Sequence, residues 1–191
     1  MAAVAKRLRA RGHTTLIFSY PTRADSLDGH AKALHEFINE SPLDELHYVG
    51  HSLGGLVILK LMKLFDDNPP GRIVMMGTPV KGSKVVKRLE VLPGQKVLFG
   101  KIKGNLLKGF HHTPPGHETG MIRGVRSLGL GRLTGNHGEA NDGTVTVSET
   151  ELDGLTDSIA LPVAHAEMLL SSEVVIQVEN FLLHGKFIHD K

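Results

Sequence analysis

The segment Gly50-His51-Ser52-Leu53-Gly54 constrains the fold of this chain more than any other, because it fits the pattern G-x-S-x-G between a strand signal and a helix signal. Residues 45–49 before it are short and rich in strand formers, and residues 53–65 after it carry apolar side chains at helical spacing. A serine on such a sharp turn has its hydroxyl pushed clear of the sheet, and the Leu53 amide faces the space where an acyl oxyanion develops. The motif therefore predicts nucleophilic acyl transfer from Ser52.

The rest of the chain alternates strand and helix signals, which is typical of a parallel sheet covered by helices on both faces. The segment 13–20, HTTLIFSY, is dense in β-branched and aromatic residues and stops at Pro21, so it too predicts a buried strand. Strands are predicted at 13–20, 45–49, 72–76, 119–126 and 158–163, and helices at 2–11, 28–40, 53–65 and 172–183. We therefore expect the α/β fold class, with a mainly parallel sheet of about five strands.

The length of 191 residues is that of one domain, and no linker divides it, so residues 1–191 are predicted to form a single unit. There is no cysteine, which excludes disulfides and thiolate metal sites. The first residues, MAAVAKRLRARG, lack the apolar core of a signal peptide, and no apolar run has the length of a membrane span. The cytoplasm is the default location on these grounds.

Positive charge is concentrated in the middle of the chain, where residues 81–110 hold eight basic residues and one acid. Aromatic residues are few and no nucleic-acid-binding motif accompanies the basic stretch, so we expect no nucleic-acid partner. Two amphipathic helices are predicted there, at 83–91 and 95–110. They form a small helical lid over residues 80–110 or simply cover the sheet. Contact of the basic stretch 81–110 with a membrane surface is an alternative to an ordinary solvated face.

A serine hydroxyl needs a base to remove its proton, and the base needs a carboxylate to orient it. His165 follows the last predicted strand and precedes the last helix, where a base reaches back over the turn that carries Ser52. Asp142 stands in an Asn-Asp-Gly turn between the two, in the order serine, acid, histidine. An Asp-Gly pair also commonly does no more than initiate a turn. Asp153 and Asp157 are the reserve candidates for the acid.

Two further ionisable residues flank these candidates. His51 precedes the serine on the strained turn, so its side chain is expected to point away from the nucleophile. Glu167 follows the proposed base by two residues and is expected to be a first-turn helix acid, which the helix dipole favours. Neither is assigned a part in the chemistry.

Four segments together resemble the α/β-hydrolase superfamily, in particular its small lipases and carboxylesterases. They are GHSLGG at 50–55, MGTPVKGS at 76–83, NDGTV at 141–145 and PVAHAEML at 162–169. The resemblance covers nearly the whole chain. It implies esterase activity with Ser52 as nucleophile, Asp142 as acid and His165 as base, without a metal or an organic cofactor.

The chain departs from that resemblance at its start, since such hydrolases begin with strands and a His-Gly loop that donates the second oxyanion-hole amide. Leu53 supplies the first amide. Three explanations are open: the chain is N-terminally shortened, a partner or self-association completes the sheet, or residues 13–20 occupy the vacated place. In the last case the loop after residue 20 lines the oxyanion site, which makes Tyr20 and Thr22 candidates.

The function predicted from these residues is that of a serine carboxylesterase acting on short- to medium-chain acyl esters through an acyl-enzyme. The substrate is then a small-molecule or lipid ester. A lipase acting on aggregated lipid is one alternative, and thioesterase, amidase and acyltransferase chemistry uses the same residues. The alternative from another class is a catalytically silent hydrolase-like remnant kept for binding or assembly.

Overall fold

The computed structural model describes residues 1–22, 25–40, 43–82, 109–127 and 138–189. Its helices and strands follow in the order α1 (Ala2–Ala10), α2 (Leu27–Asn39), β1 (Tyr48–His51), α3 (Leu53–Leu64), β2 (Ile73–Met76), β3 (Thr119–Gly124), β4 (Asp157–Leu161) and α4 (Ser172–His184). In this described part of the chain, no helix combines the length and the apolar character needed to cross a membrane.

The four strands form one sheet in the order β1-β2-β3-β4, and each neighbouring pair is parallel. The register pairs His51 with Met76 and Met76 with Ile122, so the carboxyl ends of the first three strands lie side by side. Parallel strands need crossover connections, and helix α3 supplies the one between β1 and β2. The predicted α/β class and mainly parallel sheet are confirmed, with four strands against the expected five.

Strand β2 shows how the two faces of the sheet are buried, because its side chains alternate between two apolar cores. Ile73 and Met75 pack in the core under α2 and α3, whereas Val74 and Met76 pack in the core under α1 and α4. All four side chains are fully buried. A strand that is covered on both sides has a continuous apolar sequence, which here is IVMM. The expected helices are present on both faces of the sheet.

The prediction of a strand at 13–20 is wrong, because this segment lies outside the sheet, whose edge among the described residues is β1. Its chain runs along α1: the His13 N–H donates to the Leu8 carbonyl and the Thr15 carbonyl accepts from the Arg9 guanidinium. Phe18 and other apolar side chains rest on the α2–α3 core from one side, while Leu16 is 49% exposed. High strand propensity reflects packing on a sheet surface and does not create a ladder where no neighbouring strand pairs.

The third explanation for the chain start, that residues 13–20 occupy the vacated place in the sheet, is wrong, because this segment does not pair with β1. The other two explanations stay predictions. Strand β1 itself begins at Tyr48, three residues later than expected.

The predicted lid at 80–110 falls mostly on residues 83–108, which lie outside the described residues. It stays a prediction, as does membrane contact through the basic stretch 81–110. Lys81 is described, and its ammonium group forms a 2.6 Å ion pair with Glu151 on the surface.

Phe181 on α4 provides a test of the core on the α1–α4 side of the sheet. Its side chain is fully buried, packs against the tilted Phe187 ring at 4.9 Å between centroids, and occupies the space where a Cβ on Gly120 would lie. We expect Phe181→Ala to lower the free energy of unfolding by about 3–5 kcal/mol, measured by urea denaturation. Leu183→Ala on the same helix is the control, because Leu183 is 54% exposed. Equal losses in the two variants would contradict the placement of α4.

Candidate active site

Ser52 is the single residue between the end of β1 and the start of α3, and it has a backbone conformation that serine rarely adopts. Its φ is 54° and its ψ is −121°, and among the described residues it is the one non-glycine residue with positive φ. Such conformations cost about 1–3 kcal/mol and persist where the surroundings impose them. Here its N–H donates to the Met76 carbonyl at 2.8 Å and its carbonyl accepts from Gly55 at 3.2 Å. The turn is therefore held from the neighbouring strand and from the helix it starts.

Two glycines allow strand, helix and loop to meet at this turn. A Cβ on Gly50 would lie 2.5 Å from the Gly55 nitrogen, and a Cβ on Gly55 would lie 2.2 Å from the Thr78 hydroxyl oxygen. Any larger residue at either position would push α3 away from β1 or from the loop that follows β2.

Asp142 and His165 meet although 23 residues separate them. The Nδ1 atom of His165 lies 2.7 Å from Oδ2 of Asp142, whose side chain is 1% exposed. A carboxylate only accepts, so Nδ1–H is the donor and Nε2 keeps the lone pair that takes a proton. The main chains meet as well, because the His165 N–H donates to the Asp142 carbonyl at 2.9 Å.

The second oxygen of Asp142 closes the turn that the sequence predicted. Oδ1 accepts from the Thr144 N–H at 2.9 Å and from the Val145 N–H at 2.7 Å. One oxygen of Asp142 therefore closes the turn and the other holds the histidine. These two backbone donors also fix the direction in which Oδ2 points.

Gly77 lies at the site although its sequence position did not identify it as a site residue. It follows β2 with φ 54°, and a Cβ there would lie 3.0 Å from Oδ2 of Asp142 and 3.1 Å from Nδ1 of His165. Its own N–H donates to the Ile122 carbonyl at 2.9 Å. The pair thus rests on the backbone at the end of β2, one residue beyond the carbonyl that holds Ser52. The signal in the sequence was a glycine directly after a buried strand.

His51 lies against the His165 residue. Its Nε2–H donates to the His165 main-chain carbonyl at 2.9 Å, and the two imidazole centroids are 4.5 Å apart. Burial lowers the pKa of His51 to about 4, with repulsion from His165 and from the amino terminus adding to it. The hydrogen bond to the His165 carbonyl and the Asp142 carboxylate act in the opposite direction. His51 is therefore neutral at neutral pH.

The reserve acids have other partners. Asp157 accepts from the Phe187 N–H at 2.7 Å and contacts the His189 ring at 3.0 Å, and Asp153 is exposed on the surface beside His112. The structure brings neither to His165. Glu167 accepts from the Ala164 N–H at 2.8 Å, which ties down the loop that carries the proposed base.

The candidate oxyanion donors lie in two places. Leu53 is the first residue of α3, where the backbone N–H groups lack an acceptor within the helix and form the positive end of its dipole. Tyr20 packs its ring on His30 at 4.4 Å, and the Thr22 carbonyl accepts from the His30 ring at 3.2 Å. Burial raises the pKa of Tyr20 to about 12, so its phenol is neutral. Tyr20 and Thr22 stay predictions as oxyanion donors.

Within the described ranges, no three His, Asp or Glu side chains come together in a group that could hold a metal ion. His117, in the histidine-containing loop before β3, instead contacts the Gly71 carbonyl through Nδ1 at 2.8 Å. It also meets the Tyr48 ring edge-on.

Solved structures of α/β hydrolases superpose on most of this chain. A Bacillus licheniformis lipase in its mature form matches with a TM-score of 0.65 and 17% identity, over 90% of this chain and 78% of that one. A metagenomic carboxyl esterase matches with a TM-score of 0.66 and 17% identity, over 85% of this chain and 57% of that one. An α/β hydrolase enzyme from the metagenome of sediments of the Mar Chica lagoon, Morocco, matches with a TM-score of 0.60 and 19% identity, over 95% of this chain and 81% of that one.

No family model matches the chain, and no curated protein matches it. The structural matches show that the chain has the α/β-hydrolase fold, as the resemblance of its motifs predicted.

The lowered pKa of His51 predicts how stability depends on pH. Unfolded chains protonate this histidine near pH 6.5, whereas the folded state does so only near pH 4. The unfolded state therefore binds more protons in that window, and stability falls as pH decreases. Between pH 7 and 4.5 we expect the unfolding free energy of the wild type to fall by roughly 2 kcal/mol more than that of His51→Phe.

Urea denaturation at the two pH values measures this difference. His112→Phe is the control, since the His112 side chain is 78% exposed, and its pH dependence should match that of the wild type. Identical pH dependence in the wild type and His51→Phe would show that His51 is not held neutral by burial.

Proposed function

We propose that this chain is a serine carboxylesterase that hydrolyses short- to medium-chain acyl esters through an acyl-enzyme. The single observation that carries the proposal is the 2.7 Å hydrogen bond from His165 Nδ1 to the buried Asp142 carboxylate. It leaves Nε2 of the histidine as a base, beside a strand end where Ser52 stands on a strained turn. Ser52 as nucleophile, His165 as base and Asp142 as acid are parts of this proposal.

In the first half of the reaction, His165 Nε2 takes the Ser52 proton as Oγ forms a bond to the ester carbonyl carbon. The carbonyl oxygen becomes an oxyanion, which accepts a hydrogen bond from the Leu53 amide. Collapse breaks the bond to the alcohol oxygen, and the imidazolium returns its proton to that leaving group. Water then attacks the acyl-enzyme in the same way, and the acid is released from Ser52.

Asp142 stabilises the imidazolium that forms at each step without taking its proton. The Thr144 and Val145 amides hold its side chain in place before substrate arrives. Leu53, at the start of α3, adds the positive end of a twelve-residue helix near the developing oxyanion.

The structural comparisons support the substrate class. The neighbours are described as a lipase, a carboxyl esterase and an α/β hydrolase, and acyl esters are the substrates that the first two names share. A lipase acting on aggregated lipid is the second candidate, favoured by the Bacillus lipase match. A jump in rate as the substrate passes its solubility limit would distinguish it from an esterase on dissolved esters.

A silent remnant remains the alternative from another class, and one observation favours it. Strand β1 forms the sheet edge among the described residues, so no strand there places a second oxyanion amide beside Ser52. Loss of one such donor typically reduces turnover by about 10²–10³-fold and leaves the nucleophile reactive. Slow turnover is therefore compatible with the esterase proposal, whereas an unreactive serine is not.

Covalent labelling distinguishes these functions. We expect a fluorophosphonate to modify the wild type at Ser52, located by mass spectrometry of the peptides, because an activated serine attacks phosphorus as it attacks an acyl carbon. Ser52→Ala should lose the label and reduce hydrolysis of a p-nitrophenyl ester by about 10⁴–10⁶-fold. Ser171→Ala, which removes the side-chain cap of α4, is the control and should keep the label. Folded wild type without label on Ser52 would refute the esterase proposal.

Asp142→Asn tests the acid. The new amide would donate toward His165 Nδ1 and favour the tautomer with the proton on Nε2, which cannot accept from serine. We expect turnover of the same ester to fall by about 10⁴-fold while circular dichroism stays that of the wild type. Asp153→Asn is the matched control on an exposed carboxylate and should leave turnover unchanged. Unchanged turnover in Asp142→Asn together with a large loss in Asp153→Asn would identify Asp153 as the acid.

A further inference from the structure

His165 takes part in three hydrogen bonds, and in two of them it donates to Asp142. Its ring donates to the Asp142 carboxylate and its main-chain N–H donates to the Asp142 carbonyl. The third bond is different, because His51 Nε2–H donates to the His165 carbonyl at 2.9 Å. That donor belongs to the residue directly before Ser52, so this bond joins the base residue to the strand end that carries the proposed nucleophile.

The His51 side chain also limits where the His165 ring can turn. The two imidazoles lie 4.5 Å apart at an interplanar angle of 45°, which is contact distance for tilted rings. Asp142 fixes the Nδ1 edge of the His165 ring, and His51 occupies the space beside it. One side chain thus sets both the main-chain position of the base and the orientation of its ring relative to β1.

We propose that His51 is a positioning residue that fixes the His165 base relative to the Ser52 nucleophile. The inference rests on the proposed esterase function. His51 makes no bond to substrate in this role and transfers no proton. Its effect is on the fraction of time that His165 Nε2 points at the serine hydroxyl, and displacements of about 1 Å in such pairs reduce turnover by about 100-fold.

The groups around His51 suit that role. The titratable groups that act on it electrostatically are His165, Asp142 and the Met1 amino group. A neutral imidazole supplies the one N–H that the carbonyl needs and adds no positive charge beside His165 when that ring becomes an imidazolium. A lysine or arginine at position 51 would offer a donor but oppose the imidazolium.

Three substitutions separate the hydrogen bond from the ring. His51→Gln places an amide N–H near the position of Nε2, His51→Phe keeps a ring without a donor, and His51→Ala removes both. For p-nitrophenyl ester hydrolysis we expect kcat to fall by about 10–100-fold in His51→Phe and further in His51→Ala, with KM unchanged. His51→Gln should recover kcat to within about threefold of the wild type.

The matched control is His117→Phe, which also removes a histidine bonded to a main-chain carbonyl but lies at the opposite, amino-terminal end of β3. We expect it to lower the melting temperature without changing kcat. A drop in kcat for His117→Phe equal to that of His51→Phe would assign the effect to general loss of stability and overturn the proposal.

An NMR measurement keeps the test independent of turnover. The His165 Nδ1 proton in its short bond to Asp142 should give a far-downfield resonance, assigned by its disappearance in His165→Gln. We expect this resonance to exchange faster with water in His51→Phe and as in the wild type in His51→Gln. Unchanged exchange and unchanged kcat in His51→Phe would overturn the positioning role, whereas absence of Ser52 labelling in the wild type would overturn the esterase proposal instead.

Discussion

A buried carboxylate that divides its two oxygens between a turn and a histidine is the interaction on which the site depends. Oδ1 of Asp142 closes its own loop through two backbone amides, and Oδ2 holds His165. An unpaired charge at 1% exposure would be strongly unfavourable, so both oxygens must be bonded. The chain makes room for it with glycines, since a Cβ on Gly77 would lie 3.0 Å from Oδ2 and one on Gly124 would lie 2.7 Å from the Asp142 Cβ. Two strand ends are thus shaped around one side chain.

The parallel sheet explains why residues so far apart in the chain converge. Ser52 follows β1, Gly77 follows β2 and His165 lies in the loop after β4, so all three come from carboxyl ends of strands in one register. Ligand sites of open parallel sheets lie at this edge for the same reason, because the crossover helices begin there. The side chains of β2 pack in the two cores in turn, so helices cover this strand on both faces.

Local patterns were sufficient for most of the fold. Helices α1 to α4 and four of the five predicted strands agree with the sequence patterns, and chain order and turn chemistry made Asp142 and His165 the candidate acid and base. The strand prediction for residues 13–20 was wrong because the segment has strand propensity but no neighbouring strand to pair with. The contacts of His51 depend on tertiary structure, since its partner lies 114 residues away and no spacing rule connects them.

The positive φ of Ser52 has a consequence for how this chain responds to selection. Glycine adopts such a conformation without a steric penalty, so Ser52→Gly would relieve the backbone while deleting the hydroxyl. Selection for thermal resistance alone would therefore favour loss of the serine. If the hydroxyl is the functional group, the conformational cost at position 52 is tolerated for chemistry, and stability and activity are opposed at this one residue.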